Sequence, residues 1–316
     1  MPNIPDLYPY TYDNQIREEF QQMSSRLERC LGEVHKVSER GKRFQIGDPA
    51  EGKAAVRGFV DSTPREANYR QRWLRTSRRN PQEWIDRDDA NRLGEIDDPT
   101  PSRIKNLMSV AYREKDFYLI EGLRGNAFEG DKGETPIPFN DDFVIPSDLG
   151  GDDSGINYEK YLTATTNLGA YNVTGQGVEE MSQVAYVCTH FEIADMLRED
   201  EFTNSDYSDL KRAALGQVVD YQGVTIIPVS PELLPVDATT GIRDTFMFSK
   251  SAIAFGIHCD VKTNVDIVPV KNYAILLDLF YGYGCTRIKD EGVWKMQSFR
   301  ANAAQEIAAQ RLPVPV

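Results

Sequence analysis

Residues 97–130 read DDPTPSRIKNLMSVAYREKDFYLIEGLRGNAFEG, and this stretch decides the architecture. Thr100 precedes Pro101, which pushes Thr100 out of the helical region and makes it an N-cap, with proline at the first helical position. Ile104, Leu107, Met108, Ala111, Tyr112, Tyr118 and Leu119 then recur at the 3.6-residue period as one apolar stripe. Lys115 lies inside that stripe; its stem is expected along the surface with the ammonium reaching out. Gly122 and Gly125 are read as the C-terminal stop. The spacing predicts a helix over 101–124, a rod of roughly 35 Å at 1.5 Å per residue. Such a rod needs a sheet or another layer against its stripe.

Upstream of this rod, residues 41–97 change character. KAAVRGFVD and ANYRQRWLRTS form two strand-like runs around Ser62-Thr63-Pro64, a hairpin signal. The second run is basic, with Arg65, Arg70, Arg72, Arg75, Arg78 and Arg79 around Tyr69 and Trp73. Arginine interleaved with aromatics is the composition of a single-strand nucleic-acid groove. It is equally that of a protein interface, whose anchors are Trp, Tyr and Arg. The acidic segment that follows (Glu83, Asp86, Asp88, Asp89, Glu95, Asp97, Asp98) favours the interface, because copies of the chain then carry complementary charge. Further upstream, Ile16, Phe20, Met23, Leu27, Cys30, Val34 and Val37 keep a heptad spacing from Asp13 to Arg40. The expectation is an amphipathic helix packed on its own protein or a neighbour, with a parallel coiled coil as the alternative.

Downstream, residues 130–157 are linker-like, rich in Gly and Pro. A helix is expected over 158–169, a strand over Val184–Cys188, a helix over 191–199, a short helix from Asp206, and a hairpin turning at Gln222-Gly223. Residues 261–299 alternate and read as long antiparallel strands lying under the rod. ANAAQEIAAQRLPVPV, residues 301–316, reads as a mobile tail.

Composition bounds the function. The 316 residues carry a formal net charge of −13, which argues against a nucleic-acid-binding module as a whole and suits a protein that stays soluble when concentrated. No window approaches the ~18 apolar residues of a membrane span. Cys30, Cys188, Cys259 and Cys285 show no CxxC spacing and read as free thiols. Cys188 and His190 would share a strand face as nucleophile and base, but no orienting partner or oxyanion motif accompanies them. His258, Cys259 and Cys285 match no zinc spacing. Gly175-Gln176-Gly177 and Gly282-Tyr283-Gly284 are incomplete GxG fragments. No catalytic residue, cofactor or metal is expected.

Ile96-Asp97-Asp98-Pro99, the polar rod and Leu123-Arg124-Gly125-Asn126-Ala127-Phe128-Glu129-Gly130 together resemble the major capsid proteins of tailed bacteriophages. The order of VAYVCTHFEIADML, DYQGVTIIPVSPELLP, MFSKSAIAFGI and DLFYGYGCTRIKDEGVWKMQ downstream is similar too. The resemblance spans roughly residues 10–300 and implies an α+β fold of the Hong Kong 97-like phage capsid type. It implies an N-terminal arm with an amphipathic helix over 1–45 and an extended loop over 46–85. A peripheral domain would take 86–146 and 257–300, with the rod as spine helix, and an axial domain 147–256. The implied function is a major capsid protein that self-assembles into pentamers and hexamers, closing an icosahedral head around double-stranded DNA. The virion would be its location and the host bacterial cytoplasm its place of assembly. Its partners would be itself, possible scaffolding, portal and decoration proteins, and packaged DNA held non-specifically, with no membrane. The expected subunit contacts are Arg65, Tyr69, Arg70, Arg72, Trp73, Arg75, Arg78 and Arg79, with Ile16, Phe20, Met23 and Leu27. Alternatives are a nanocompartment shell of the same fold, a nucleic-acid-binding protein using residues 65–79, and a hydrolase using Cys188 and His190.

Overall fold

The computed structural model describes residues 22, 24–38, 41–47, 69–85, 100–151, 154–171, 173, 183–199, 202 and 219–300. Among these, helix α1 spans Thr100–Arg124, α2 Tyr158–Ala170 and α3 His190–Met196. The strands up to the end of α1 are β1 (Val34–Lys36), β2 (Lys42–Gly47), β3 (Tyr69–Leu74), β4 (Ser77–Arg79) and β5 (Gln82–Ile85). After it come β6 (Ala127–Glu129), β7 (Thr135–Ile137), β8 (Val144–Ile145), β9 (Val184–Thr189), β10 (Val219–Tyr221), β11 (Val224–Val229), β12 (Ile242–Ser249), β13 (Ile253–Val268), β14 (Ala274–Arg287) and β15 (Val293–Phe299). The chain divides into two compact units. The smaller takes Arg78–Glu114 and Cys259–Gly282 with the segment up to Ser25; the larger takes Arg26–Ser77, Lys115–His258 and the residues from Tyr283 onward. The division falls within α1, β13 and β14.

In the smaller unit, β5 pairs antiparallel with β14, Ile85 opposite Ile275 and Glu83 opposite Leu277. Period-2 alternation buries Ile85, Leu277 and Leu279 and leaves Trp84 and Phe280 exposed. The β13–β14 connection is a 3-10 turn, Pro269–Lys271, followed by Asn272 and Tyr273 at φ 51° and 59°.

The larger unit holds a six-stranded sheet in the order β10-β11-β9-β12-β15-β8. β9 lies between parallel β11 and antiparallel β12. All six of its residues are buried, which is why VAYVCT reads as an uninterrupted run rather than an alternation. Tyr161, Ala164 and Leu168 of α2 pack with Tyr186, Cys188, Ile193, Met196, Phe202, Tyr221 and Trp294 in one core. The β10–β11 hairpin turns at Gln222 and Gly223, φ 48° and 82°, the two positive φ values of a type I′ turn. β15 pairs with β12 over Ile242↔Phe299 to Phe248↔Val293. The alternation of Val293, Trp294 and Met296 is that of a strand, as expected, and its antiparallel partner is β12; alternation alone does not name a strand's partner.

A separate four-stranded sheet has the order β2-β3-β6-β7. β3, the basic run, pairs antiparallel with β2 from Lys42↔Leu74 to Gly47↔Tyr69. The partner within the described residues is therefore 42–47; the expected first arm, 53–61, and its turn lie outside them. The heptad is corrected as well. Ile16, Phe20 and Met23 lie outside the described residues, but Leu27–Cys30 is a 3-10 turn and Val34 belongs to β1. β1 pairs parallel with β13, Val34 opposite Phe255, and this long-range ladder ends the helical pattern.

The second half of α1 buries Leu119, Ile120 and Leu123. Gly122 is inside this helix, not at its stop. A Cβ there would lie 2.5 Å from Cys285 Cβ and 2.7 Å from its Sγ, so glycine is what lets β14 approach the helix this closely. Lys115 does not reach into solvent: it is 7% exposed, with Nζ 2.9 Å from Glu28 Oε1 and over the Phe255 ring at 5.8 Å. Its neighbour Asp116, fully buried, accepts the backbone N–H groups of Arg26 and Leu27 at 3.1 and 3.2 Å. Two charged residues of α1 thus hold the segment around residues 26–28.

Candidate intersubunit interface

The β2–β3 ribbon separates the basic residues into distinct environments. Arg72 is 3% exposed. Its Nε lies 2.9 Å from Glu129 Oε1, and its Nη2 pairs with Asp290. Asp290 also accepts from Arg287 Nε at 3.2 Å. Arg287 in turn donates to Leu123 O and Gly125 O, each at 2.6 Å. A guanidinium placed on carbonyls at the C-terminal end of α1, Leu123 inside it and Gly125 just past it, opposes the helix's negative end. Arg72, one of the expected subunit contacts, is thus buried and ion-paired within its own chain.

Trp73 Nε1 donates to Gly130 O at 2.5 Å. Arg75 Nη2 donates to Lys132 O at 2.8 Å and Gly133 O at 3.0 Å, and its guanidinium lies over the Phe128 ring at 5.3 Å. Trp73 and Arg75, both among the expected subunit contacts, are therefore engaged within the chain. Tyr69, 68% exposed, and exposed Arg70 stand at the other end of β3. Arg78 and Arg79 are exposed too, Arg79 Nε lying 3.9 Å from Glu114 Oε2, a pair of small energetic weight. Leu27, another expected contact, is fully buried in its own chain, where Asp116 of α1 accepts its backbone N–H. Arg65 lies outside the described residues.

The charged centre of the larger unit is Glu192, which sequence reading missed. Thr189 caps α3, and Glu192 returns a bond to Thr189 N at 2.9 Å, completing a capping box. Its Oε1 also accepts from Arg243 Nη1 at 3.1 Å, Arg300 Nε at 3.0 Å and Arg300 Nη2 at 2.5 Å. Burial pushes the Glu192 carboxyl up, but Arg300, Arg243 and the Thr189 hydroxyl outweigh it and hold it below the ordinary range. The Thr-x-x-Glu spacing at 189–192 was the available signal; the arginines arrive from β12 and the end of β15. Lys160, fully buried, donates to Ser147 O, Ser154 O, Ser154 Oγ and Gly155 O at 2.8–2.9 Å. This knits the linker-like loop to α2. Burial lowers its ammonium to about 8 against the pull of Asp148, Glu199 and Asp195.

These clusters brace elements; they do not form a reaction centre. Cys188 is fully buried, and burial, reinforced by Glu192, drives its thiol well above the ordinary value, the opposite of an activated nucleophile. His190 begins α3 rather than continuing the strand face. Gly282-Tyr283-Gly284 lies within β14, not in a phosphate-binding loop. Among the described residues no three His, Cys, Asp or Glu side chains come together as a metal site, and no helix is long and apolar enough to cross a membrane.

An α+β chain with this long helix and these sheets has the fold of phage capsid subunits. The capsid structure of cyanophage Pam1 matches with a TM-score of 0.68 at 12% identity, over 95% of this chain and 98% of that one. A structure from Mycobacterium phage Che8 matches with 0.62 at 12%, over 93% and 98%. The acid-stable capsid of Helicobacter pylori bacteriophage KHP30 matches with 0.64 at 11%, over 94% and 97%. None of the curated proteins compared with the chain matches it. The chain belongs to the phage capsid protein family, whose model matches residues 4–298. It is a structural protein of a virion shell.

Proposed function

We propose that this chain is the major capsid protein of a tailed bacteriophage, assembling into pentamers and hexamers that close an icosahedral head around double-stranded DNA. The observation that carries the reading is the outer end of the β2–β3 ribbon, where Tyr69 and Arg70 stand exposed on a chain of net charge −13. A positive, aromatic strand on an acidic protein finds its complement on other copies of that protein. Rotationally repeated contacts of this kind close a ring, and many weak closures together hold a shell. Tyr69, Arg70, Arg78 and Arg79 are the contacts we assign among the described residues, with Arg65, Ile16, Phe20 and Met23 retained from the sequence. The extended loop, peripheral and axial domains carried by the resemblance belong to the same proposal. So do scaffolding, portal and decoration partners, non-specific DNA contact and assembly in the host cytoplasm.

Expression of the chain alone, followed by sedimentation velocity and electron microscopy, tests the reading. Closed particles support it and remove any need for a scaffold. Tyr69→Ala with Arg70→Ala is expected to leave the subunit folded and to lower particle yield at least tenfold. A folded double variant with unchanged yield refutes the ribbon contact. A steep salt-dependent gel shift with no particles would favour the nucleic-acid reading instead.

A further inference from the structure

We propose that Trp73 and Arg75 are positioning residues that latch the root of the β2–β3 ribbon onto the turn at 130–133, fixing the direction in which the ribbon meets a second copy of this chain. The inference rests on the ribbon contact proposed above. It assigns these two residues a role inside the subunit, in place of a contact with the neighbour.

β3 joins the rest of its sheet through only two residue pairs, Arg72↔Glu129 and Trp73↔Phe128. A ladder that short resists twisting poorly, since two-stranded ribbons are marginal without further packing. The side chains supply what the ladder lacks, from both faces of the strand. On one face Leu74 packs with Val37 and Ala254 in a small core, and Arg72 carries its ion pairs to Glu129 and Asp290. On the other, Trp73 and Arg75 together donate to three carbonyls of the turn, Gly130 O, Lys132 O and Gly133 O. The turn is shaped to receive them. Gly133 has φ 67°, and a Cβ there would sit 2.8 Å from Trp73 Cγ. Exposure then rises along β3, from 3% at Arg72 to 68% at Tyr69. The root is held and the outer end is offered.

Direction matters because a ring closes only when every contact repeats the same angle. Six strand residues extend about 20 Å at ~3.3 Å each, so a swing of ~10° at the root moves the far end by about 3.5 Å. That exceeds the length of a hydrogen bond.

The test perturbs the latch from both sides. Trp73→Phe keeps a ring and removes the N–H donor; Gly133→Ala fills the seat under the indole. Hydrogen exchange at amides 42–47 and 69–74 is measured in unassembled subunits, and particle yield and diameter by sedimentation and electron microscopy. Each single variant is expected to raise ribbon exchange on the order of tenfold. The double variant should add little, because one latch is broken twice. Shells should become scarce or uneven in diameter. Arg75→Lys, which replaces the fork by one ammonium, gives the same readout should Gly133→Ala fail to fold. Wild-type exchange in Trp73→Phe, or fully additive effects, overturns the latch. So do uniform wild-type shells despite raised exchange, provided that the Tyr69/Arg70 double variant loses assembly. If that variant also assembles normally, the ribbon contact itself is what fails, and the role proposed here in assembly falls with it.

Discussion

Replacing Glu192 by glutamine removes one charge from the buried network at the end of β9 while preserving the shape of the side chain. In the wild type the carboxylate faces two guanidiniums, Arg243 fully buried and Arg300 9% exposed. Once it is neutral, Arg300 keeps Asp195, 2.8 Å from its Nη1, and Arg243 keeps Leu234 O at 2.9 Å from Nε and the Thr189 hydroxyl at 3.1 Å from Nη1. Arg243 loses its carboxylate. Breaking a buried pair by removing one partner costs about 3–5 kcal/mol. The one amide oxygen still accepts, but the NH2 turns a donor toward either Thr189 N or the arginines, so a loss of about 3 kcal/mol or more is expected. That lowers a thermal midpoint by about 6–12 °C for a unit of this size. The assay is thermal and urea unfolding of unassembled subunits at pH 7 and in acid. A carboxyl held below its ordinary value of 4.5 stabilises the fold fully above that pH and loses the contribution as pH falls through its folded value. The gap between wild type and variant must therefore narrow in acid. A gap under ~1 kcal/mol at pH 7, or one that is the same at low pH, refutes Glu192 as the charged anchor of this core.

Gly122→Ala gains up to ~1 kcal/mol of helix propensity but forces a Cβ against Cys285, at about 1–3 kcal/mol. A net loss in denaturant midpoint is expected, relieved only in part when Cys285→Gly is added, because the Cys285 backbone carbon would still lie 2.8 Å from the new Cβ; fully additive effects would refute the close approach. Arg287→Met strips the donors from Leu123 O and Gly125 O and leaves Asp290 without that partner, costing about 2–4 kcal/mol. Faster amide exchange over 120–126 is the direct check. Burial drives the Cys188 thiol well up and the Cys30 thiol to about 12, so a thiol-directed reagent at pH 8 should modify neither before unfolding, as read by mass spectrometry.

Local chemistry made much of the fold legible. The stripe of 101–124 became α1, Asn157 caps α2 where the pattern began, and Gln222-Gly223 turned where the residues allow positive φ. Each of these depends on neighbours within a few positions. The heptad failed at Val34 because β1 is defined by Phe255, Gly256 and Ile257, residues far along the chain. Lys115 looked like a surface cation because its partner, Glu28, belongs to another segment. The basic run was recognised as a group, yet its members divide between burial, latch and exposure according to what 129–133 and 290 bring to them.

By itself, the amino-acid order determined α1, α2, β9, the β10–β11 turn, the acidic balance and the family likeness, since periodicity, capping and turn preference act over short range. Only the tertiary structure decided which strand is β15's neighbour, which arginines reach solvent, and that Glu192 rather than Cys188 is the charged centre of its core. Those outcomes depend on desolvation and pairing between distant segments, which hold no fixed spacing in the chain.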